Sequence, residues 1–364
     1  MRRSGLLLFA CTVLPGLYLA AWPVPVDPVA WQAPEDQGLT GDFAANDALS
    51  GLGAISLGAH EGPEDAAIGR DGALYATTVS GTILRIAEDT AAVSEFARTG
   101  GRPLGIEAAA DGALLVANAF VGIQRISPLG EVTDLITAID GEAIQYADDL
   151  AVSRDGVVYF SDASKKFGAQ ASGGTYEASL LDILEHGAHG RVIAFDPWSG
   201  DARVLLDGLN FANGIALSAD ERFLLIAETG SYRILRHWLQ GPDAGLTEVV
   251  LDNLPGFPDN INRGEDGRFW VGLVAPRDAK LDALSDKPFL RKVVQRLPAF
   301  LRPKAVPSSH VIAVNGDGEV LLSLQDPAAA YPTMTGACET RERLYLTRLF
   351  GHDLPYIDKA DLPR

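Results

Sequence analysis

One arrangement of apolar and polar positions recurs along the chain: an apolar run, a turn of Asp-Gly type, and a second apolar run ending in an aromatic or small residue. It spans Glu64 to Tyr75 around Asp71-Gly72, Gly105 to Val116 around Asp111-Gly112, and Asp148 to Phe160 around Asp155-Gly156. Further copies run from Asn213 to Ile226 with Asp220-Glu221 at the turn, from Asp259 to Val271 around Asp266-Gly267, and from Met334 to Leu346 with Arg341-Glu342 at the turn. Apolar alternation on either side of Asp-Gly predicts a β-hairpin, because glycine accepts the positive φ that a tight turn demands. Successive turns lie 40, 44, 65, 46 and 75 residues apart. The regular intervals match one four-stranded propeller blade of ~40–45 residues. The runs at Gly81–Ile86 and Gly122–Ile126 read as third strands of their blades. Six copies predict an all-β, six-bladed β-propeller, an architecture that leaves only short protected edges.

The two long intervals predict insertions at about 164–190 and 275–308. In the first, Tyr176 to His186 carries Leu180, Leu181, Ile183 and Leu184, the pattern of a short amphipathic helix. In the second, apolar residues from Phe289 to Leu301 alternate with Arg291, Lys292 and Arg296, which predicts a basic amphipathic helix. Such a helix could cap a site mouth, lie on an anionic membrane, or pack on a neighbouring blade.

Ahead of the repeats, Met1 to Arg3 is basic and Gly5 to Trp22 is apolar, broken only by Pro15. Residues 1–22 therefore read as a signal-anchor or signal segment forming an N-terminal hydrophobic helix. The positive flank would stay in the cytoplasm, leaving an exported, membrane-anchored body on the periplasmic or extracytoplasmic side. Residues 23–50, rich in Pro, Asp and Ala, read as a linker, and 51–364 as the propeller. The balance of 48 acidic against 30 basic residues, a net charge of −18, disfavours nucleic acid as a partner, since that affinity comes from Lys and Arg neutralising phosphates. Cys11 and Cys338 are the only cysteines and lie too far apart in role to predict a disulfide. Neither a Gly-x-Ser-x-Gly nucleophile elbow nor a phosphate-binding glycine loop is present.

Candidate chemistry comes from phase. Seven residues before the first turn residue of each copy stand Glu64, Leu104, Asp148, Asn213, Asp259 and Met334. Equivalent positions in a propeller share height and radius, so these six converge on the axis. Three carboxylates so placed repel one another unless a cation lies among them. Glu64, Asp148, Asn213 and Asp259 form an all-oxygen set suited to Ca²⁺, with Mg²⁺ or Mn²⁺ as alternatives. Asp65, Asp149 and Asn260 each follow a register residue, and a one-residue slip would exchange Asp148 with Asp149. His60, just ahead of Glu64, is a candidate proton carrier, and His186 and His189 are weak candidates for zinc.

The blocks Phe160-Ser161-Asp162-Ala163-Ser164 with Phe167, Leu205-Leu206-Asp207-Gly208-Leu209 through Asn213-Gly214, Glu228-Thr229, and Gly256-Phe257-Pro258-Asp259-Asn260-Ile261 resemble the strictosidine synthase-like proteins. That family includes the adipocyte plasma membrane-associated proteins and sits with the gluconolactonase, senescence-marker-protein and paraoxonase propellers. The resemblance runs from about residue 24 to the C-terminus. It implies a six-bladed propeller and, in hydrolase members, a central calcium held by a first-blade Glu and later Asn or Asp residues, positions that fall on Glu64, Asp148, Asn213 and Asp259. Plant strictosidine synthases use a last-blade glutamate, where this chain has Met334-Thr335 with Glu339 as the nearest carboxylate. The expected function is a metal-dependent hydrolase of lactones or aryl esters. Asp259 first and Asp148 second would be the catalytic carboxylates, and His60 a further proton carrier. Leu104, Met334 and the 289–301 helix would supply walls for a hydrophobic ester or lactone. The competing expectations are a non-enzymatic, membrane-tethered binding propeller with structural calcium, and a C–N condensing enzyme of strictosidine synthase type.

Overall fold

The computed structural model describes residues 16–363, and its body is a ring of six four-stranded antiparallel sheets. The first blade comprises Ala66–Ile68, Leu74–Thr77, Thr82–Ile86 and Val93–Arg98. The second to fifth open with inner strands Pro103–Ala108, Ala147–Val152, Ala212–Leu217 and Gly256–Arg263. The sixth is made of Met334–Glu339, Arg343–Arg348 and Asp353–Asp358, and its outermost strand is Gly53–Ser56 from the start of the body. The first and last strands of the propeller thus meet in one sheet, with Gly53 opposite Tyr356 and Ser56 opposite Asp353. An apolar cluster of Ile55, Leu74, Leu84, Tyr345 and Leu354 fills the gap between the last blade and the first. Closure is therefore hydrophobic as well as hydrogen-bonded, and among the described residues no disulfide staples it. Each inter-blade layer repeats this packing of sheet on sheet, as with Leu115, Leu150, Phe160 and Ile193 between the second and third blades.

The Asp-Gly turns close the first hairpin of four blades. Asp71 and Asp111 accept the backbone N–H groups of Ala73 (3.2 Å) and Ala113 (3.0 Å), and Gly72 and Gly112 take φ of 75° and 89°. In the fourth blade Glu221 takes φ 59° at the equivalent turn, a conformation that costs a non-glycine residue ~1 kcal/mol. Because each inner strand starts at the channel mouth and runs to such a turn, the connections between second and third strands return to the mouth. Both insertions are connections of this kind.

The first insertion, residues 163–189, carries the helix Thr175–Glu185. The second, residues 277–308, carries the helices Ala279–Ala283 and Pro288–Arg296 and a single turn at Ala299–Leu301. The helix Pro288–Arg296 is oriented against its expected amphipathicity. Arg291 is fully buried, whereas Phe289 is 57% exposed. The Arg291 guanidinium donates to the carbonyls of Leu184 (2.9 Å), Ser285 (3.0 Å) and Val29, so it closes the carboxyl end of the first insertion's helix onto the second insertion.

Residues 23–50 do not stand off as a free linker. Val26 and Leu49 are buried, the Asp27 N–H donates to Glu185 (2.6 Å), and Trp31 stacks on His186 at 3.9 Å. The segment lies as a strap across both insertions and then along the fifth blade, where the Asn46 amide donates to the Ser323 carbonyl (2.9 Å). Residues 16–21 are helical and the remainder of the apolar N-terminal run lies outside the described residues. Among the described residues no helix is long and apolar enough to cross a membrane.

Stacking on Trp31 has a pH consequence. Burial, then the charges of Arg291 and Arg233, push the His186 imidazole down to about 3. A folded-state value below the unfolded one means this group's stabilisation is complete above the unfolded pKa and is lost as pH falls toward about 3. Between neutral pH and pH 4 the loss should reach roughly 3 kcal/mol. Asp182, raised by burial to about 7, titrates in the opposite sense, so the diagnostic is a difference. Thermal melts of His186→Asn, which cannot titrate and tolerates the left-handed cap at this position (φ 52°), should decline less on acidification than wild type. Equal declines would show that His186 is not the titrating group.

Candidate active site

Irregular pairing positions the site. Inner strands of the second to sixth blades shift register between Pro103 and Ile106, Ala147 and Leu150, Ala212 and Ile215, Pro258 and Ile261, and Met334 and Gly336. Each interruption brackets or adjoins the recurrent channel position. A bulge there releases the residue from ladder pairing and re-aims its side chain into the channel. Gly214 makes the closeness possible: a Cβ on it would stand 2.4 Å from both the Asp259 carbonyl and the Ile261 nitrogen.

The result is one cavity of about 440 Å³ at the mouth of the channel. Glu64, Asp148, Asn213 and Asp259 all line it, although they come from four blades and from positions up to 195 residues apart. All four are buried. The structure also separates Asp148 from Asp149. Asp148 faces the cavity, whereas Asp149 turns between blades to accept the N–H groups of Leu150 (2.7 Å) and Ile215 (2.8 Å). Asp65 does likewise, accepting from Ile106 (2.9 Å) and the Asn262 amide (2.8 Å). These two carboxylates stitch blades together.

Electrostatics within the floor are unfavourable as the side chains stand. Burial, then the charges of Asp259 and Asp148, hold the Glu64 carboxyl well above the usual carboxylate range. Burial and then Asp259 do the same to Asp148. Burial raises Asp259 to about 7 against the hydrogen bond from the Asn213 amide, 2.6 Å away. Arg102, buried nearby, offsets part of the negative charge at Glu64 and Asp148.

Among the described residues no three His, Cys, Asp or Glu side chains are placed to enclose an ion as they stand. Yet Glu64 Oε2, Asp148 Oδ2 and Asn213 Oδ1 are buried without any hydrogen-bond partner. Asn213 and Asn260 instead turn their amide N–H groups on Asp259 and Glu64 (3.0 Å for the latter), partly neutralising them. Buried oxygens rarely go unpaired, because each costs ~1–3 kcal/mol. Three orphaned oxygens on residues that line one cavity are the chemistry a hard divalent cation satisfies, and a simple amide rotation would exchange the Asn213 nitrogen now on Asp259 for its oxygen.

Other expectations meet different outcomes. His60 is not part of the floor. The loop before Gly62-Pro63 carries its ring outward, 3.6 Å from Glu95 on the outer strand of the first blade, while its carbonyl accepts from His352. Met334 is buried among Leu49, Trp270 and Leu346 and does not line the cavity; Thr333 and Leu349 stand there instead. Its side chain falls on the core side because the strand's irregularity comes just after it. Of the Pro288–Arg296 helix only Val294 and Gln295 reach the cavity. His189 pairs with Glu185 at 2.7 Å, and His186 stacks on Trp31, so neither serves a zinc site. Glu339 sits at the opposite end of its strand, bonded by Trp270 (2.8 Å) and Lys359 (2.7 Å).

Sequence reasoning missed Tyr146 and Phe211. Tyr146 lies beside the carboxylates, its ring edge-on to Phe211 at 5.2 Å and its hydroxyl donating to the Thr175 carbonyl at the head of the insertion helix. Burial, then Asp148, Asp259 and Glu64, raise its phenol well above the ordinary range. Leu104, Leu180, Leu181, Phe257 and Val294 complete the apolar walls. Side chains quoted for the resemblance support this floor from behind. Asp162, paired with Arg191 at 2.9 Å, accepts the Tyr146 N–H (2.9 Å), and Glu228 accepts the Asn210 N–H (2.9 Å) just ahead of Asn213.

Comparison with known proteins agrees with this architecture. The strictosidine synthase family profile matches residues 148–242, and the strictosidine synthase-like N-terminal profile matches residues 41–86. Adipocyte plasma membrane-associated protein of Salmo salar is 36% identical over 331 residues, covering 83% of this chain and 76% of the relative. Protein strictosidine synthase-like 6 of Arabidopsis thaliana is 33% identical over 322 residues, covering 86% of this chain and 84% of the relative. A gluconolactonase structure from Xanthomonas campestris superimposes with a TM-score of 0.62 at 18% identity, covering 93% of this chain and 98% of that one. At that identity the likeness is one of fold. With relatives this similar across most of its length, the chain belongs to the strictosidine synthase-like family of six-bladed β-propellers.

Proposed function

We propose that this protein is a divalent-cation-dependent hydrolase of lactones or aryl esters carrying a hydrophobic acyl or aryl group. The observation that supports this most is the convergence of Glu64, Asp148, Asn213 and Asp259 on the floor of an apolar cavity, the first three each with an orphaned oxygen. These four residues would hold the ion, and their oxygens suit Ca²⁺ first, with Mg²⁺ or Mn²⁺ as alternatives. Bound there, the ion supplies Lewis-acid stabilisation of negative charge on a carbonyl oxygen. Asp259 accepts the proton of the attacking water and returns it to the departing alkoxide or phenoxide. Asp148 is the next candidate for that task. Leu104, Phe211 and Phe257 hold the apolar part of the substrate and thin out competing water. In the same reading the apolar N-terminal run anchors an exported body to the membrane.

Condensation of an amine with an aldehyde fits less well, because the nearest last-blade carboxylate, Glu339, stands away from the cavity. Turnover of phenyl acetate and a lactone panel, before and after chelation, tests the proposal. Activity should vanish with chelator and return with added Ca²⁺. The melting transition should rise with Ca²⁺, by about 2.7 kcal/mol of stability at a hundredfold excess over Kd. Chelator-sensitive melting without turnover of any ester or lactone would instead mark a binding propeller with structural calcium.

A further inference from the structure

We infer that the rim of the cavity is itself a lipid-docking surface, seated on the anionic headgroup layer of a bilayer. This goes beyond a simple N-terminal tether, and it stands whether or not the cavity hydrolyses esters. The second insertion turns its apolar side chains outward and its arginines inward. Phe289, Phe300 (76% exposed), Leu301 and Val306 face solvent together with Leu17 and Trp22. Arg291 and Arg296 are buried on backbone carbonyls. A helix exposing phenylalanine while burying arginine is poorly suited to water, and exposed apolar patches mark interaction surfaces.

Lipid, rather than protein, is indicated by continuity and by charge. Arg296 donates to the carbonyls of Leu19 (2.9 Å) and Trp22 (2.6 Å), clasping the carboxyl end of the helical residues 16–21 against the second insertion. The apolar run Gly5–Trp22 ends there, so the medium that receives this run also meets Phe289 and Phe300. Of the six Lys or Arg in residues 287–316, which hold no Asp or Glu, Arg291 and Arg296 are buried and Lys287 and Lys292 pair with Asp286 and Asp27, which leaves Arg302 and Lys304 as the cations this face offers, in a chain of net charge −18. Anionic headgroups would repel the rest of the body and accept this face. Arg302 and Lys304 stand at the cavity's edge. Val306 and Leu180 are at once exposed and part of the cavity lining, so the apolar surface runs without interruption from the rim inward. By contrast, Trp198 and Leu129 are exposed singly on turns at the far end of their blades.

The test uses the full chain bearing Cys11→Ser, in nanodiscs of phosphatidylcholine with or without phosphatidylglycerol. Cys338 is buried and should not label. An environment-sensitive fluorophore placed through Phe300→Cys should shift to the blue and be quenched severalfold by nitroxide-bearing lipid, more so with phosphatidylglycerol and less at high salt. The same label through Trp198→Cys should remain in water. The inference is overturned if the label at position 300 reports water in both kinds of disc, or if position 198 is shielded equally. Shielding of position 300 without lipid that grows with protein concentration would also overturn it, by assigning the face to a second copy of the chain.

Discussion

Asp259→Asn is expected to lower kcat/KM for a lactone or aryl ester by about 10²–10⁴-fold, the range that removal of a positioned proton acceptor produces. Asparagine keeps the shape and can still meet Asn213, but it neither takes a proton nor carries charge to a cation. Stability of the ion-free protein should move the other way. The charge of Asp259 is the leading like-charge contribution that raises both Glu64 and Asp148, so removing it relieves repulsion at neutral pH. The variant should therefore melt no lower than wild type in chelator, while losing most of the stabilisation that Ca²⁺ gives. Activity, a chelator melt and a Ca²⁺ titration on one preparation check all three. Undiminished turnover would remove Asp259 from the chemistry, and a collapse of the ion-free fold would show that its carboxylate is a structural partner.

Arg291→Leu should destabilise the protein by roughly 3–5 kcal/mol. The side chain is fully buried and has no carboxylate partner among its contacts. Its charge is satisfied by the carbonyls of Leu184, Ser285 and Val29, two insertions and the strap at once. Leucine would fill part of the volume and leave those oxygens without donors. The Thr175–Glu185 helix supplies Leu180, Leu181 and Leu184 to the cavity wall, so KM should rise more than kcat falls. Chemical denaturation and steady-state kinetics measure the two effects. Arg291→Lys should rescue little, because one ammonium cannot span groups that a planar guanidinium reaches together. A variant within 1 kcal/mol of wild type would show that the insertions hold without this clasp.

Much of the fold could be read from residue pattern alone, because propellers repeat their chemistry. Asp71-Gly72, Asp111-Gly112, Asp155-Gly156 and Asp266-Gly267, with Asp220-Glu221 in the fourth blade, mark equivalent hairpins, and counting back from these five turns led to Glu64, Leu104, Asp148, Asp259 and Asn213, which share one cavity. The same count assigned Met334 to the channel, where local pairing turns it into the core. His60 was suggested by proximity to Glu64 along the chain, and proximity of that kind says nothing about which way a loop side chain faces. The tie between Asp148 and Asp149 could not be broken from sequence, because a bulge disrupts the strict alternation that would have decided it.

Local periodicity and turn chemistry determined the blade count, the insertion sites and the set of oxygen-bearing channel residues, since each depends on neighbours within a few positions. Only the tertiary structure decided the closure of the last blade by Gly53–Ser56, the strap of residues 23–50, the place of Tyr146 and the inverted face of Pro288–Arg296. Those features arise from partners tens to hundreds of residues away: Tyr146 is held by the Thr175 carbonyl, 29 positions on, and Arg291 is drawn inward by the Val29 carbonyl, 262 positions earlier. A helical stripe announces an amphipathic face, but which side faces the protein depends on where unpaired carbonyls and apolar surface lie around it.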